Sequence, residues 1–233
     1  MFLRKLDGAT PVAFGEGDEA KISPDGKWIL TTLPDGYSLL PTGAGSTVRL
    51  PKGDASRVLG AAWLGDSKRI AFAGIPAGES RARGYIQEVP DGIPRAITPP
   101  AVWLSGRAAT IRDDESVLGL KESDDRWMLY PLNGSNPAPV PGLTGRDVPV
   151  QWSTDGRWLY TVSRGEQPLP PTFDVFRVEV ATGRRTLWKT LSPYDPVGVE
   201  ALPGRFAMTP DGETYCYSYM RRLGDLFVVE GLK

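Results

Sequence analysis

The stretch AKISPDGKWILTT, residues 20–32, and its near copy VQWSTDGRWLYTV, residues 150–162, decide how this chain folds. Each leads in with apolar or β-favouring residues, reverses at Ser-x-Asp-Gly and leads out through a Trp and an apolar run. Asp bonds forward to turn backbone and Gly accepts the positive φ that other residues resist, so each copy reads as a β-hairpin. Three more copies follow the same plan: AAWLGDSKRIAFA (61–73), AATIRDDESVLGL (108–120) and RFAMTPDGETYCYSY (205–219). The turn residues are therefore Asp25 and Gly26, Asp66, Asp114, Asp155 and Gly156, and Asp211 and Gly212. Successive Asp positions are 41, 48, 41 and 56 residues apart.

A second hairpin follows the first four copies, turning at Thr42-Gly43, Asp91-Gly92, Asn133-Gly134 and Thr182-Gly183. Two hairpins make a four-stranded antiparallel sheet, and repeats in the forties are the length of propeller blades. The expected fold is an all-β propeller of about five blades in one domain, 1–233, with blades at 18–52, 58–99, 107–142, 147–191 and 204–231. No long segment has helical apolar spacing. Residues 2–14, FLRKLDGATPVAF, read as the outer hairpin of a preceding or closing blade. Strand 10–14 is expected to close the ring on the last blade, although DLFVVE (225–230) competes with segment 2–7 for a place there. That surplus suggests the C-terminal part of a longer propeller, and an incomplete ring would leave edges open to self-association.

Composition narrows function. Lys and Arg number 27 against 28 Asp and Glu, so no overall charge draws the chain to nucleic acid or membrane. There is no histidine, which excludes Ser-His-Asp and Cys-His centres and His-ligated metals within this sequence. The single cysteine, Cys216, is expected to be a buried structural thiol between Tyr215 and Tyr217. No apolar run reaches signal-peptide or membrane-span length. No cofactor or metal is expected, and the chain as written reads as cytoplasmic.

Other chemical readings fall on the turns. Ser23, Asp25, Gly26 and Trp28 run S-x-D-G-x-W, the wrong spacing for a sialidase Asp-box. Asp113-Asp114-Glu115 and Asp124-Asp125 sit at reversals, where Asp serves local bonding. Trp28, Trp63, Trp152 and Trp158 recur at repeat positions and are expected to pack between blades, whereas Trp103 falls outside the regular strands and is expected to be exposed. In a propeller the turns within hairpins share one face, and the connections between hairpins and between blades share the other. The second face here carries the long segments 74–84, 163–173 and 192–204. Arg81, Arg83, Trp103, Arg164 and Tyr194 are thus the candidates for contact with a protein or peptide partner.

SPDGKW (23–28), STDGRW (153–158) and TPDGET (209–214) resemble the TolB-like, WD-repeat-like propeller repeat of bacterial proteins. The ending TPDGETYCYSYMRRLGDLFVVEGLK (209–233) is similar to the C-terminus of propellers attached to bacterial, especially acidobacterial, serine/threonine protein kinases. The resemblance implies a non-catalytic sensory or docking module, extracytoplasmic if it belongs to a membrane-spanning kinase. The kinase glycine loop, HRD and DFG motifs do not occur in this sequence. The same repeat also implies two alternatives: the lid of a prolyl-oligopeptidase-type hydrolase, or a TolB-like periplasmic scaffold.

Overall fold

A computed structural model describes residues 2–3, 10, 12–13, 15–17, 19–104, 111–113, 115–163, 172–201 and 206–222. The architecture is an all-β propeller built of sequential antiparallel meanders. A hairpin of β1 (Phe2–Leu3) and β2 (Val12–Ala13) precedes the first blade, which contains β3 (Ala20–Ile22), β4 (Trp28–Leu33), β5 (Gly36–Pro41) and β6 (Val48–Arg49). The second blade holds β7 (Ala55–Trp63), β8 (Arg69–Pro76), β9 (Arg83–Glu88) and β10 (Arg95–Ala96).

In the third blade, β11 (Val102–Leu104) and β12 (Ile111–Arg112) lie along the same edge of β13 (Ser116–Lys121), followed by β14 (Arg126–Pro131) and β15 (Ala138–Pro139). This sheet begins at Val102. The fourth blade is β16 (Asp147–Trp152), β17 (Trp158–Ser163), β18 (Phe173–Glu179) and β19 (Arg185–Leu191). A fifth unit follows as one interrupted hairpin: β20 (Val199–Ala201) pairs with β23 (Met220–Arg221), and β21 (Phe206–Met208) with β22 (Tyr215–Tyr217). Strand β2 pairs with β1 in the described residues, with no pairing to the fifth unit that would close the ring as expected. The 225–230 strand lies outside the described residues.

Three turns share one hydrogen-bond pattern. In the first, Ser23 Oγ donates to Asp25 Oδ1 (2.6 Å), the Lys27 amide donates to the same oxygen (3.1 Å), and the Trp28 amide donates back to Ser23 Oγ (3.0 Å). Ser153, Asp155, Arg157 and Trp158 repeat it at 2.6, 3.0 and 2.9 Å. Thr209, Asp211, Glu213 and Thr214 repeat it at 2.5, 2.9 and 3.0 Å. Gly26, Gly156 and Gly212 supply φ of 73°, 64° and 76°, a region that admits Gly at little cost. The second turn departs instructively. Ser67 stands where the others have Gly, at φ 59°, and its Oγ accepts the Asp25 amide of the neighbouring blade (2.9 Å). Asp66 there accepts the Lys68 and Arg69 amides. Asp114 lies outside the described residues.

The core lies between blades. Leu30, Tyr37 and Leu39 of the first blade meet Ile70, Phe72 and Tyr85 of the second. Ala71 and Ile86 meet Val102, Val117 and Tyr130. Leu118, Trp127 and Leu129 meet Trp152, Leu159 and Val178. Tyr160, Val162 and Val175 meet Val199 and Phe206. Trp63 lies partly buried at the first of these layers, its indole N–H donating to Lys21 O across the blade boundary (2.9 Å).

Cys216 corrects the sequence reading: it is exposed. Tyr215 and Tyr217 pack toward the fourth blade, and the period of two along a strand turns the residue between them to solvent. Among the described residues, no helix is long and apolar enough to cross a membrane.

These contrasts set the expected stabilities. Leu159 is fully buried, so Leu159→Ala is expected to cost about 3 kcal/mol. Cys216→Ser should stay within about 0.5 kcal/mol, and urea melts of both variants check the ranking. The Ser and Thr hydroxyls hold Asp25, Asp155 and Asp211 below the ordinary carboxylate value of 3.8, helped by the turn amides. Because these folded-state values are depressed, their stabilisation is complete above that pH and is lost as pH falls through the lowered values. A variant with Ala at 23, 153 and 209 should therefore lag the parent most at neutral pH. The gap should narrow on titration toward pH 2, and a constant gap would mean that the carboxylates take no part.

Candidate recognition surface

Strand alternation sends the β8–β9, β10–β11 and β19–β20 connections to one face of the propeller, opposite the Asp turns. On this face the structure gathers the sequence candidates into two groups. Arg81 and Arg83 flank Ala82, whose carbonyl accepts the Val102 amide (3.2 Å), so Trp103 stands beside the β8–β9 connection. Trp103 is 40 % exposed, as its sequence setting suggested, but it lies within β11, paired with Leu120. Val102 and Leu104 turn inward and leave the indole on the outer side of the pleat.

The two arginines differ. Arg81 is exposed. Arg83 is half-buried, and its Nη2 donates to both Glu79 carboxylate oxygens (2.6 and 2.7 Å), a bond that raises its pKa further. It braces the loop, whereas Arg81 is free to reach outward. Arg164 lies outside the described residues.

Tyr194 belongs to the second group and is wholly exposed. It sits in the link from β19 to β20 beside Val197, with Tyr219 and Met220 on the adjoining end of the fifth unit, all three exposed. Side chains anchor this link tightly. Arg221 Nη1 lies 3.1 Å from an Asp195 carboxylate oxygen, its Nη2 donates to Asp195 O (2.5 Å), and Tyr217 Oη donates to Ser192 O (2.6 Å). The Arg222 amide donates to Gly198 O (2.8 Å). At Gly198, φ is 72° and a Cβ would come within 2.5 Å of Arg222 O, so only Gly suits this close approach. Apolar side chains are thus presented from a braced backbone.

Sequence reasoning found Tyr194 and missed Val197, Tyr219 and Met220. In YCYSYM the alternation of large residues signals a strand, and nothing local shows which of them will stay uncovered.

The acidic runs serve turns. Asp124 meets Lys121 Nζ at 3.0 Å and accepts the Ser123 hydroxyl, which lowers its pKa. Asp125 accepts the Gly145 amide (3.2 Å). Among the described residues no three His, Cys, Asp or Glu side chains converge to hold a metal.

No protein-family model matches the chain, and no curated protein sequence is similar to it. Solved structures are. Oligogalacturonate lyase from Vibrio parahaemolyticus superposes with a TM-score of 0.65 at 14 % identity, over 93 % of this chain and 63 % of that one. A TolB assigned from Agrobacterium tumefaciens gives 0.57 at 19 % identity, over 73 % and 60 %. TolB from Acinetobacter baumannii gives 0.57 at 13 % identity, over 90 % and 57 %. The chain therefore spans about three-fifths of the length of these proteins. At such identities the likeness speaks for architecture alone, and the architecture is the β-propeller that TolB and oligogalacturonate lyase share.

Proposed function

We propose that the chain is a non-catalytic propeller whose loop-bearing face recognises a protein or peptide segment. The observation that carries this reading is Tyr194, wholly exposed beside Val197, Tyr219 and Met220 on a link held by Asp195–Arg221. Large apolar side chains on a rigid backbone bind at little entropic cost, and tyrosine is among the residues enriched at binding hot spots. The propeller fold shared with TolB supports a scaffold role. The resemblance of its ending, residues 209–233, to kinase-attached propellers supports a place as the sensory or docking portion of a larger signalling protein.

Catalysis is the competing reading, since oligogalacturonate lyase has the same fold. The described residues assemble no metal cluster, and the sequence lacks histidine. The proposal is tested by photo-crosslinking from position 194, with position 93 on the turn face as the control. A partner protein should crosslink from 194 and be lost when Val197 and Met220 are changed to Ala, with the melting temperature unchanged. Equal crosslinking from both positions would overturn the recognition face. Reproducible turnover of a glycosidic, peptide or ATP reporter would overturn the non-catalytic assignment.

A further inference from the structure

The third residue of the second strand in each blade faces the following blade, and the residue paired with it shows what that face must cover. The pairs are Leu30–Leu39, Ala71–Ile86, Leu118–Leu129 and Tyr160–Arg177. Leu39, Ile86 and Leu129 are 1, 7 and 8 % exposed and belong to the apolar layers between blades. Arg177, at the same place in the fourth blade, is exposed. The outer half of this blade thus carries a polar surface where the other three carry a packing surface.

That surface is cationic and aromatic. The guanidiniums of Arg177, Arg157 and Arg184 lie 4.8, 5.5 and 5.7 Å from the centre of the Trp158 ring. Lys189 Nζ lies 4.6 Å from the Tyr215 ring. Of the carboxylates beside them, Asp155 is held in the turn by Ser153 and the Arg157 amide, and Glu179 is fully engaged. It accepts Arg157 (2.7 and 3.1 Å) and Thr182 Oγ1 (2.8 Å), and lies 3.4 Å from Arg184. Arg177 donates to the neutral Thr186 Oγ1 (3.1 Å), and neither it nor Lys189 has a carboxylate partner among the described residues.

The same blade ends in an unusual edge. Strands β6, β10 and β15 are two residues long, with proline in or near each: Pro51, Pro94 and Pro139. Short, proline-marked outer strands resist pairing with foreign chains. Strand β19 runs seven residues without proline and is the last strand of its sheet among the described residues. An edge of that length offers a row of backbone donors and acceptors to an added strand.

From these two features together we infer that the outer edge of the fourth blade binds an extended acidic protein segment. The segment adds to β19 by backbone pairing and places carboxylates on Arg177, Arg184 and Lys189. Side chains on one face of a strand recur every second residue, roughly 6.6–6.8 Å apart. The preferred ligand therefore carries Asp or Glu at alternate positions rather than in a solid run.

The test uses the full chain and a fluorescein-labelled peptide of four Glu-Thr repeats, followed by fluorescence polarisation. Saturable binding is expected. It should weaken as salt rises from about 50 to 500 mM and fall about tenfold or more in the Arg177→Leu, Arg184→Ala double variant. Arg177→Leu installs the residue type of the other blades, so its melting temperature should hold. The same peptide N-methylated at every second residue should lose binding, because it cannot complete the backbone ladder. Absence of binding, binding indifferent to the double variant, or undiminished binding of the methylated peptide would overturn the inference. Tighter binding of a single-stranded oligonucleotide than of the peptide would overturn it too, by reassigning the surface to polyanions.

Discussion

Phe72 stacks on Tyr85 at 5.2 Å within the second blade and meets Tyr37 of the first in a T-shaped contact at 5.4 Å. Contacts of this kind between blades are the constraint on which the molecule depends. A four-stranded blade is apolar on both faces and has no interior of its own, so it becomes stable only when neighbours cover it. Each of the four apolar layers draws residues from two adjacent blades. Stability is therefore shared along the chain, and no single centre holds it.

The turns keep those layers in register. A slip of one residue in a strand would exchange its two faces, and the layers on both sides would fail together. The Ser/Thr-x-Asp-Gly turn prevents this by tying the hydroxyl, the carboxylate and two backbone amides into one closed arrangement. It also reaches sideways. Ser67 links the second turn to the first, and the Thr154 amide of the fourth blade donates to Pro210 O of the fifth unit (3.2 Å). Register within a blade and alignment between blades thus come partly from the same few polar atoms.

Hairpins, their turns and the repeat were legible because they rest on signals a few residues apart. Faces were less so. The alternation Tyr215-Cys216-Tyr217 says that the thiol opposes the tyrosines, and only the packed fourth blade says that the tyrosines face inward. The strand at Trp103 was hidden behind Pro99-Pro100, since its partner β13 begins more than ten residues later. Tyr219 and Met220 look like strand residues in sequence, and their exposure depends on what fails to cover them in space. Arg177 carries information only when four blades are laid in register, which pairing in three dimensions provides.

The hydroxyl-bound turns have one more consequence. Histidine is the side chain whose ordinary pKa lies between about 5 and 8, and this chain has none. Asp25, Asp155 and Asp211 are drawn further below that interval, and burial lifts Tyr85, already above it, to about 12. These three turn carboxylates therefore stay ionised in a mildly acidic medium as in a neutral one, so the closed turns that hold strand register keep their bonding there.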